Sequence, residues 1–337
     1  MRRLYEAGVP AGPAGRGAGR APRCPGRLAA SAALVAAFAL VMLALLGCAG
    51  VKNDDGGAAV AGRTPSADEV RLVVSRDFGT EILRDVIAPA GEGLDVLRLL
   101  AEQAEVETGY GGRFVNGIDG LKSSFGGASS ADAADWFYWV DGEMAGMAAD
   151  EWKLRGGETV WWDYHPWSDA MFVPQALHAF PKPYASRPQA LTADADTPGL
   201  VDWAKTYGIR LDARRRLAGD RPHGGVVVAT AAEAAATPWL VELLSPARSG
   251  IQLVSVDGEE IALAAPDGAS GPQAAAAAAA VPAPNQEDPS RPFLVLLGAT
   301  QADLEALLSR LPPEAFNARV AVALVDDRLV ALPWTGE

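Results

Sequence analysis

Residues 136–167 read WFYWVDGEMAGMAADEWKLRGGETVWWDYHPW and hold six of the nine tryptophans of the chain. Trp136, Tyr138, Trp139, Trp161, Trp162, Tyr164 and Trp167 are more aromatic surface than one face of a small sheet needs. Flat side chains stack on planar ligands or sugar rings, and each indole adds one N–H donor. Trp136, Tyr138, Trp162, Tyr164 and Trp167 are therefore the candidate ligand contacts. The competing reading is a core, because alternate positions of a sheet packed on a helix are buried. His165, in Tyr-His-Pro-Trp, reads as a surface histidine of the loop after the last strand. A lone imidazole with no second ligand in register does not make a metal site. The pairs Asp54-Asp55, Glu259-Glu260 and Asp326-Asp327 read as turn chemistry and solvated charge.

No phosphate-loop, Gly-x-Ser-x-Gly or His-Glu-x-x-His pattern is present. The expectation is a protein with no enzymatic activity, no catalytic residue and no resident cofactor. Only His165, His178 and His223 offer imidazoles. The two cysteines are Cys24 and Cys48, both near the N-terminus. A domain built from the remainder has no disulfide and no thiolate metal site.

A basic leader with Arg2, Arg3, Arg16, Arg20, Arg23 and Arg27 precedes an uncharged run, residues 28–47, twenty residues long. This is the pattern of a secretory signal. Its ending, Leu45-Leu46-Gly47-Cys48, resembles the lipobox of bacterial lipoproteins. The resemblance implies cleavage before Cys48, lipidation of Cys48 and a place on the extracytoplasmic face of the cell membrane. Two or three acyl chains hold a soluble domain there, at about 0.8 kcal/mol per buried methylene. An uncut signal anchor is the alternative, since twenty apolar residues can span a bilayer. Cleavage removes six arginines and one glutamate, and takes the net charge from -13 to about -18. Such a chain is a poor nucleic-acid binder, because phosphate contacts need Lys and Arg.

These features set the organisation: a signal peptide over 1–47, a Gly-rich tether over 48–69, a first domain over 70–170, a Pro-rich linker over 171–202 and a second domain over 203–337. In the first domain, two apolar runs flank Asp77-Phe78-Gly79 and predict paired strands. Leu94, Leu97, Leu100, Ala101 and Ala104 predict one face of a helix. Residues 110–120 predict a strand with tight turns, and 136–140 and 158–164 two further strands around Asp141-Gly142. The second domain reads strand, helix, strand, strand twice, with Thr230 and Thr300 each following a first strand, a weak internal repeat. Two such units would complete one small sheet. Residues 270–289, with seven alanines from Ala274 to Ala280, read as an exposed low-complexity loop. The fold class expected is α+β in both domains.

The segments GLDVLRLLAEQA, GYGGRFVNGIDGL and WFYWVDGEMAGMAADEWKLRGGETVWWDY resemble the transcobalamin-like C-terminal β-grasp family. That family occurs in bacteria as a domain of unknown function, often in secreted lipoproteins. The resemblance spans about a hundred of the 337 residues. It implies a mixed sheet with one helix and a corrinoid-like ligand. The family's Thr or Ser near the helix start is replaced by Leu94-Asp95, which concerns capping. In transcobalamin the β-grasp unit closes over cobalamin held against an α-helical barrel, and this chain is too short to carry one.

The function expected is binding of a small ligand, corrinoid-like or presented to a membrane transporter component. The alternative is a structural or adhesive surface module that recognises protein or glycan through its aromatic face.

Overall fold

The two apolar runs around Asp77-Phe78-Gly79 pair as β1 (Glu69–Arg76) and β2 (Glu81–Pro89). The computed structural model in which they are seen describes residues 62–124, 133–170, 172–266 and 272–335. The proposed signal peptide, Cys48 and most of the tether lie outside the described residues. The β1–β2 turn needs left-handed backbone, with φ of 53° at Asp77 and 57° at Phe78. Gly79 has φ +80°, and a Cβ there would stand 1.7 Å from the carbonyl oxygen of Ala318.

Helix α1 (Val96–Gln103) is capped by Asp95, whose carboxylate accepts a bond from the Arg98 amide at 2.8 Å. Asp95 thus fills the capping role that Thr or Ser was expected to fill. The buried face is Val96, Leu99 and Leu100, so the stripe is rotated from the expected one and Ala101 is exposed. Each buried aliphatic side chain contributes about 1.5–3 kcal/mol. β3 (Val106–Gly109), β4 (Phe114–Ile118) and β5 (Leu121–Lys122) form a three-stranded antiparallel sheet.

β6 (Ala134–Val140), β7 (Glu143–Met144) and β8 (Thr159–Pro166) join β1 and β2 in a five-stranded sheet of order β2-β1-β8-β6-β7. β1 and β8 are parallel and the other pairs antiparallel. One face, with Leu72, Trp136, Tyr138, Val160 and Trp162, packs on Leu99 and Leu100 of α1. The other, with Val73, Phe78, Trp139 and Trp161, packs into the C-terminal half.

The stretch expected as a linker is packed rather than exposed. Val173, Leu177, Phe180 and Tyr184 are buried, and the Leu177 amide donates to the Val320 carbonyl at 2.9 Å. Prolines there break regular structure without preventing burial, because proline lacks only the donor.

β9 (Gln189–Thr192), helix α2 (Leu200–Thr206), β10 (Leu211–Arg215) and β11 (Gly225–Thr230) follow. The expected helix over 232–244 is two helices, α3 (Ala231–Ala235) and α4 (Pro238–Leu244). Pro238 cannot continue α3 but suits the first turn of α4. Then come β12 (Val254–Asp257), β13 (Glu260–Ala264), β14 (Pro272–Ala276), β15 (Ala278–Ala283) and β16 (Phe293–Gly298). The last elements are α5 (Gln301–Ser309), β17 (Ala321–Val325) and β18 (Arg328–Leu332).

A seven-stranded sheet has the order β10-β9-β11-β16-β15-β17-β18, parallel from β10 to β16 and antiparallel after it. β12, β13 and β14 form a separate sheet, so the two repeat units share β11 and β16 but not their hairpins. Both repeat threonines make full capping boxes, Thr230 with Glu233 and Thr300 with Asp303.

The alanine run is the largest departure from expectation. It forms β14 and β15, not an exposed loop, and Ala278, Ala279 and Ala280 are fully buried between β16 and β17. Alanine's short side chain lets neighbouring layers close over a strand covered on both faces, and the ladder satisfies its backbone. Trp139, Trp161, Leu240 and Val295 belong to one apolar cluster, so the core runs across the expected domain boundary. The described residues form one compact unit, an α+β arrangement rich in sheet.

Candidate functional site

Strand alternation divides the aromatic segment. Trp136, Tyr138 and Trp162 point to the α1 side, and Tyr138 stacks on Trp162 with ring centroids 4.7 Å apart. Trp139 and Trp161 stack at the same 4.7 Å on the opposite side, fully buried. Their donors are used internally: Trp139 Nε1 donates to the Val173 carbonyl and Trp161 Nε1 to Ser75 Oγ, both at 2.7 Å.

Trp136, Tyr138 and Trp162 also line a cleft of about 220 Å³. Phe114, Met144 and Met147 face it, with Arg113 and Asp135 at its polar side. Phe114 and Met147 are among the exposed large apolar residues, at 37% and 49%, and Tyr110 beside Phe114 is 82% exposed. Tyr110 stands at φ 49° and starts the Tyr-Gly-Gly turn that carries this rim. The lining is apolar and aromatic with few polar groups, as in small-molecule sites, but its volume is below the usual 300–1,000 Å³.

The polar groups are held in place. Tyr138 Oη donates to the Met147 carbonyl at 2.7 Å. Burial, then the carboxylates of Asp150 and Glu151, push the Tyr138 phenol well above its usual range. Asp135 accepts from the Trp136 amide at 2.7 Å, and burial raises its carboxyl above the usual range despite bonds from Ser123 and Trp136. Trp162 is 3% exposed and its Nε1 has no hydrogen-bond partner among the described residues.

Tyr164 and Trp167 are not part of the cleft. Tyr164 packs at a tilt against Trp136, ring centroids 5.2 Å apart, and donates to the Lys122 carbonyl, while Trp167 is half-buried in a short helical turn after β8. Phe114, Met144 and Met147 carry no motif, and only the fold shows them beside the tryptophans.

His165 is a correction. It lies within β8, fully buried, between the rings of Phe78 and Phe137 at 4.2 and 4.4 Å. Nδ1 is 2.9 Å from Asp163 Oδ2 and Nε2 3.0 Å from the Ala170 carbonyl. Strand alternation continues through Pro166, two residues beyond the expected strand end, which turns this ring inward. Asp163 also accepts from Ser75 Oγ and from the Phe78 and Gly79 amides. The cluster is structural in its contacts, sealed from solvent. Asp326 and Asp327 form a hairpin turn at φ 46° and 63°, as turn chemistry predicts. Among the described residues, no group of three or more His, Cys, Asp or Glu side chains is placed to hold a metal ion. No helix among them is long and apolar enough to cross a membrane.

A family model described as "Domain of unknown function (DUF4430)" matches residues 93–166, the span that contains α1, the three-stranded sheet and the aromatic strands. No curated protein matches the chain. Among solved structures, one from Ruminococcus gnavus, titled a "putative metal binding protein", is 16% identical. It covers 29% of this chain and 95% of its own, with a TM-score of 0.24.

Proposed function

We propose that the protein is a lipid-anchored, extracytoplasmic binding protein whose ligand enters the cleft of Trp136, Tyr138 and Trp162. The observation that carries this reading is the cleft itself: a stacked Tyr138–Trp162 pair at its base and exposed Phe114 and Met147 at its rim. Exposed apolar groups around a concavity mark an interaction site. Residues 70–170 are taken as a transcobalamin-like β-grasp domain. The order β2-β1-β8-β6-β7, the parallel β1–β8 pair and α1 across one face support that assignment.

Size bears on the ligand. At about 220 Å³, the cleft holds a single ring system or one side group of a larger molecule. A corrinoid would insert only an edge or an arm, leaving the macrocycle to another surface or to a transporter component. This reading assigns the cleft to binding and gives no catalytic role to the fully buried Asp163–His165 pair. The second reading, recognition of a protein or glycan partner, draws on Tyr110, 82% exposed at the same rim.

The test is fluorescence titration of the full chain with indole and with cyanocobalamin, for the wild type and for Met147→Asp and Phe114→Ala. Both changes are at exposed positions and should leave the fold intact. Saturable binding weakened by either variant is expected. Binding of neither probe, or binding that both variants leave unchanged, sinks the proposal.

A further inference from the structure

Far along the chain from the aromatic cleft, at one end of the seven-stranded sheet, lies a second concavity of different chemistry. Arg187, Arg215, Arg291 and His223 line a cleft of about 120 Å³, floored by the segment around Gly224. Arg187 precedes β9, Gly224 precedes β11, Arg291 precedes β16 and Arg215 ends β10. We propose that this cleft binds a phosphate-class oxyanion.

The backbone is built to bring these groups together. Gly224 and Gly225 have φ of +96° and +117°, where side chains are strained. A Cβ on Gly224 would stand 2.2 Å from the Arg291 carbonyl oxygen, and one on Gly225 2.4 Å from that of Ala190. Only glycines let this strand start run so close to its neighbours. Gln189, 6% exposed, donates from Nε2 to the carbonyls of Tyr184 and Arg187 at 2.8 and 3.0 Å, which fixes the backbone that carries Arg187.

The charges are the second observation. The chain carries 42 acidic against 29 basic residues, so an arginine has many carboxylates to choose from. Yet among the described residues the Arg187 side chain bonds only to Ser290 Oγ, at 3.3 Å, and the Arg215 side chain has no partner. Asp288 stands 3.5 Å from Arg291 Nε and within electrostatic reach of Arg187, and Glu287 pairs with His223 at 3.3 Å, but neither carboxylate lines the cleft. Guanidinium groups gathered around one cleft repel one another, and a bound anion removes that repulsion. The planar fork of arginine matches two oxygens of a phosphate. The volume is roughly four times the ~30 Å³ share of one liquid water, enough for a tetrahedral group and an adjoining water. No Phe, Tyr or Trp lines the cleft, so an organic substituent on the phosphate would project outward. A free phosphate ester and an anionic lipid headgroup share this chemistry.

The experiment uses the full chain at constant ionic strength, with chloride replaced stepwise by inorganic phosphate, and reads binding by calorimetry. Saturable phosphate binding is expected, weakened at least about tenfold in Arg187→Gln/Arg215→Gln, which removes two charge-assisted forks. Equal affinity in wild type and variant overturns the proposal, as does a response to phosphate no greater than to chloride. If the double variant does not fold, Arg187→Lys/Arg215→Lys is read instead. Lysine keeps the charge and loses the fork, so a drop of a few fold is expected, and unchanged affinity overturns the assignment. Sedimentation with phosphatidylcholine vesicles, with and without phosphatidylglycerol, separates the sources. An excess on phosphatidylglycerol that phosphate competes away assigns a lipid headgroup. Phosphate binding without such an excess assigns a soluble phosphate ester.

Discussion

His165 Nδ1 lies 2.9 Å from Asp163 Oδ2, the two residues sharing one face of β8 with no solvent contact. The same carboxylate accepts from Ser75 Oγ and from the Phe78 and Gly79 amides, so one side chain ties β8 to β1 and to the β1–β2 turn. Removing it leaves four donors without that partner, three of them on fully buried residues.

Asp163→Ala is accordingly expected to destabilise the fold by about 3–5 kcal/mol, the cost of breaking a buried pair from one side. Denaturant unfolding followed by tryptophan fluorescence measures it. A loss below about 1 kcal/mol would show that the cluster is not a structural tie.

A second expectation concerns pH. His178 is 3% exposed, its Nε2 faces the Thr159 carbonyl at 3.4 Å, and burial lowers its pKa to about 3. The folded state thus holds the ring neutral while the unfolded chain binds a proton near pH 6.5. Between those values the unfolded state carries more protons, so stability falls as pH falls, by about 1.4 kcal/mol per pH unit. Above the ordinary value the contribution is fully present. His178→Gln should flatten the stability curve between pH 6 and pH 4 relative to wild type; parallel curves would refute the assignment.

The alanine strand makes a third. Ala280 is fully buried between Leu296 and Val322 in the seven-stranded sheet. Ala280→Leu forces three extra side-chain heavy atoms into closed space and should cost about 1–3 kcal/mol or more. Ala280→Gly should cost less, about 1 kcal/mol from backbone entropy and lost packing. If the leucine variant melts at the wild-type temperature, the stretch is not a central strand.

Cys48 lies outside the described residues, and its expected role is tested directly. Cys48→Ala should leave the leader attached or move the protein to the aqueous phase on detergent partition. Intact mass measurement of membrane-extracted wild type should show diacyl or triacyl mass on Cys48 with residues 1–47 removed. A chain that retains those residues and carries no lipid contradicts the lipoprotein reading.

Local signals were legible wherever the chemistry is local. The paired strands around Asp77-Phe78-Gly79 and the Asp326-Asp327 turn depend on backbone conformation within a few residues, and those residue types report it directly. Thr230 and Thr300 were read only as marks of a repeat, and the structure shows both as helix caps. The alternation of Trp161 and Trp162 was equally readable, since neighbouring strand residues point to opposite faces. Which face carried the cleft was not readable, because it depends on what packs above each face. α1 covers one side of the sheet and the C-terminal half the other. The alanine run shows the same limit: seven identical small residues carry no periodic signal, and only β13 beside β14, and β16 and β17 on either side of β15, make them strands. Arg187, Arg215 and Arg291 lie up to about a hundred residues apart in sequence and meet only through the parallel order of β10, β9, β11 and β16. The sequence by itself determined which short segments turn, cap or extend. The tertiary structure decided which of those segments are covered and which far-apart side chains share a cleft, because burial and convergence are properties of neighbours that chain order does not contain.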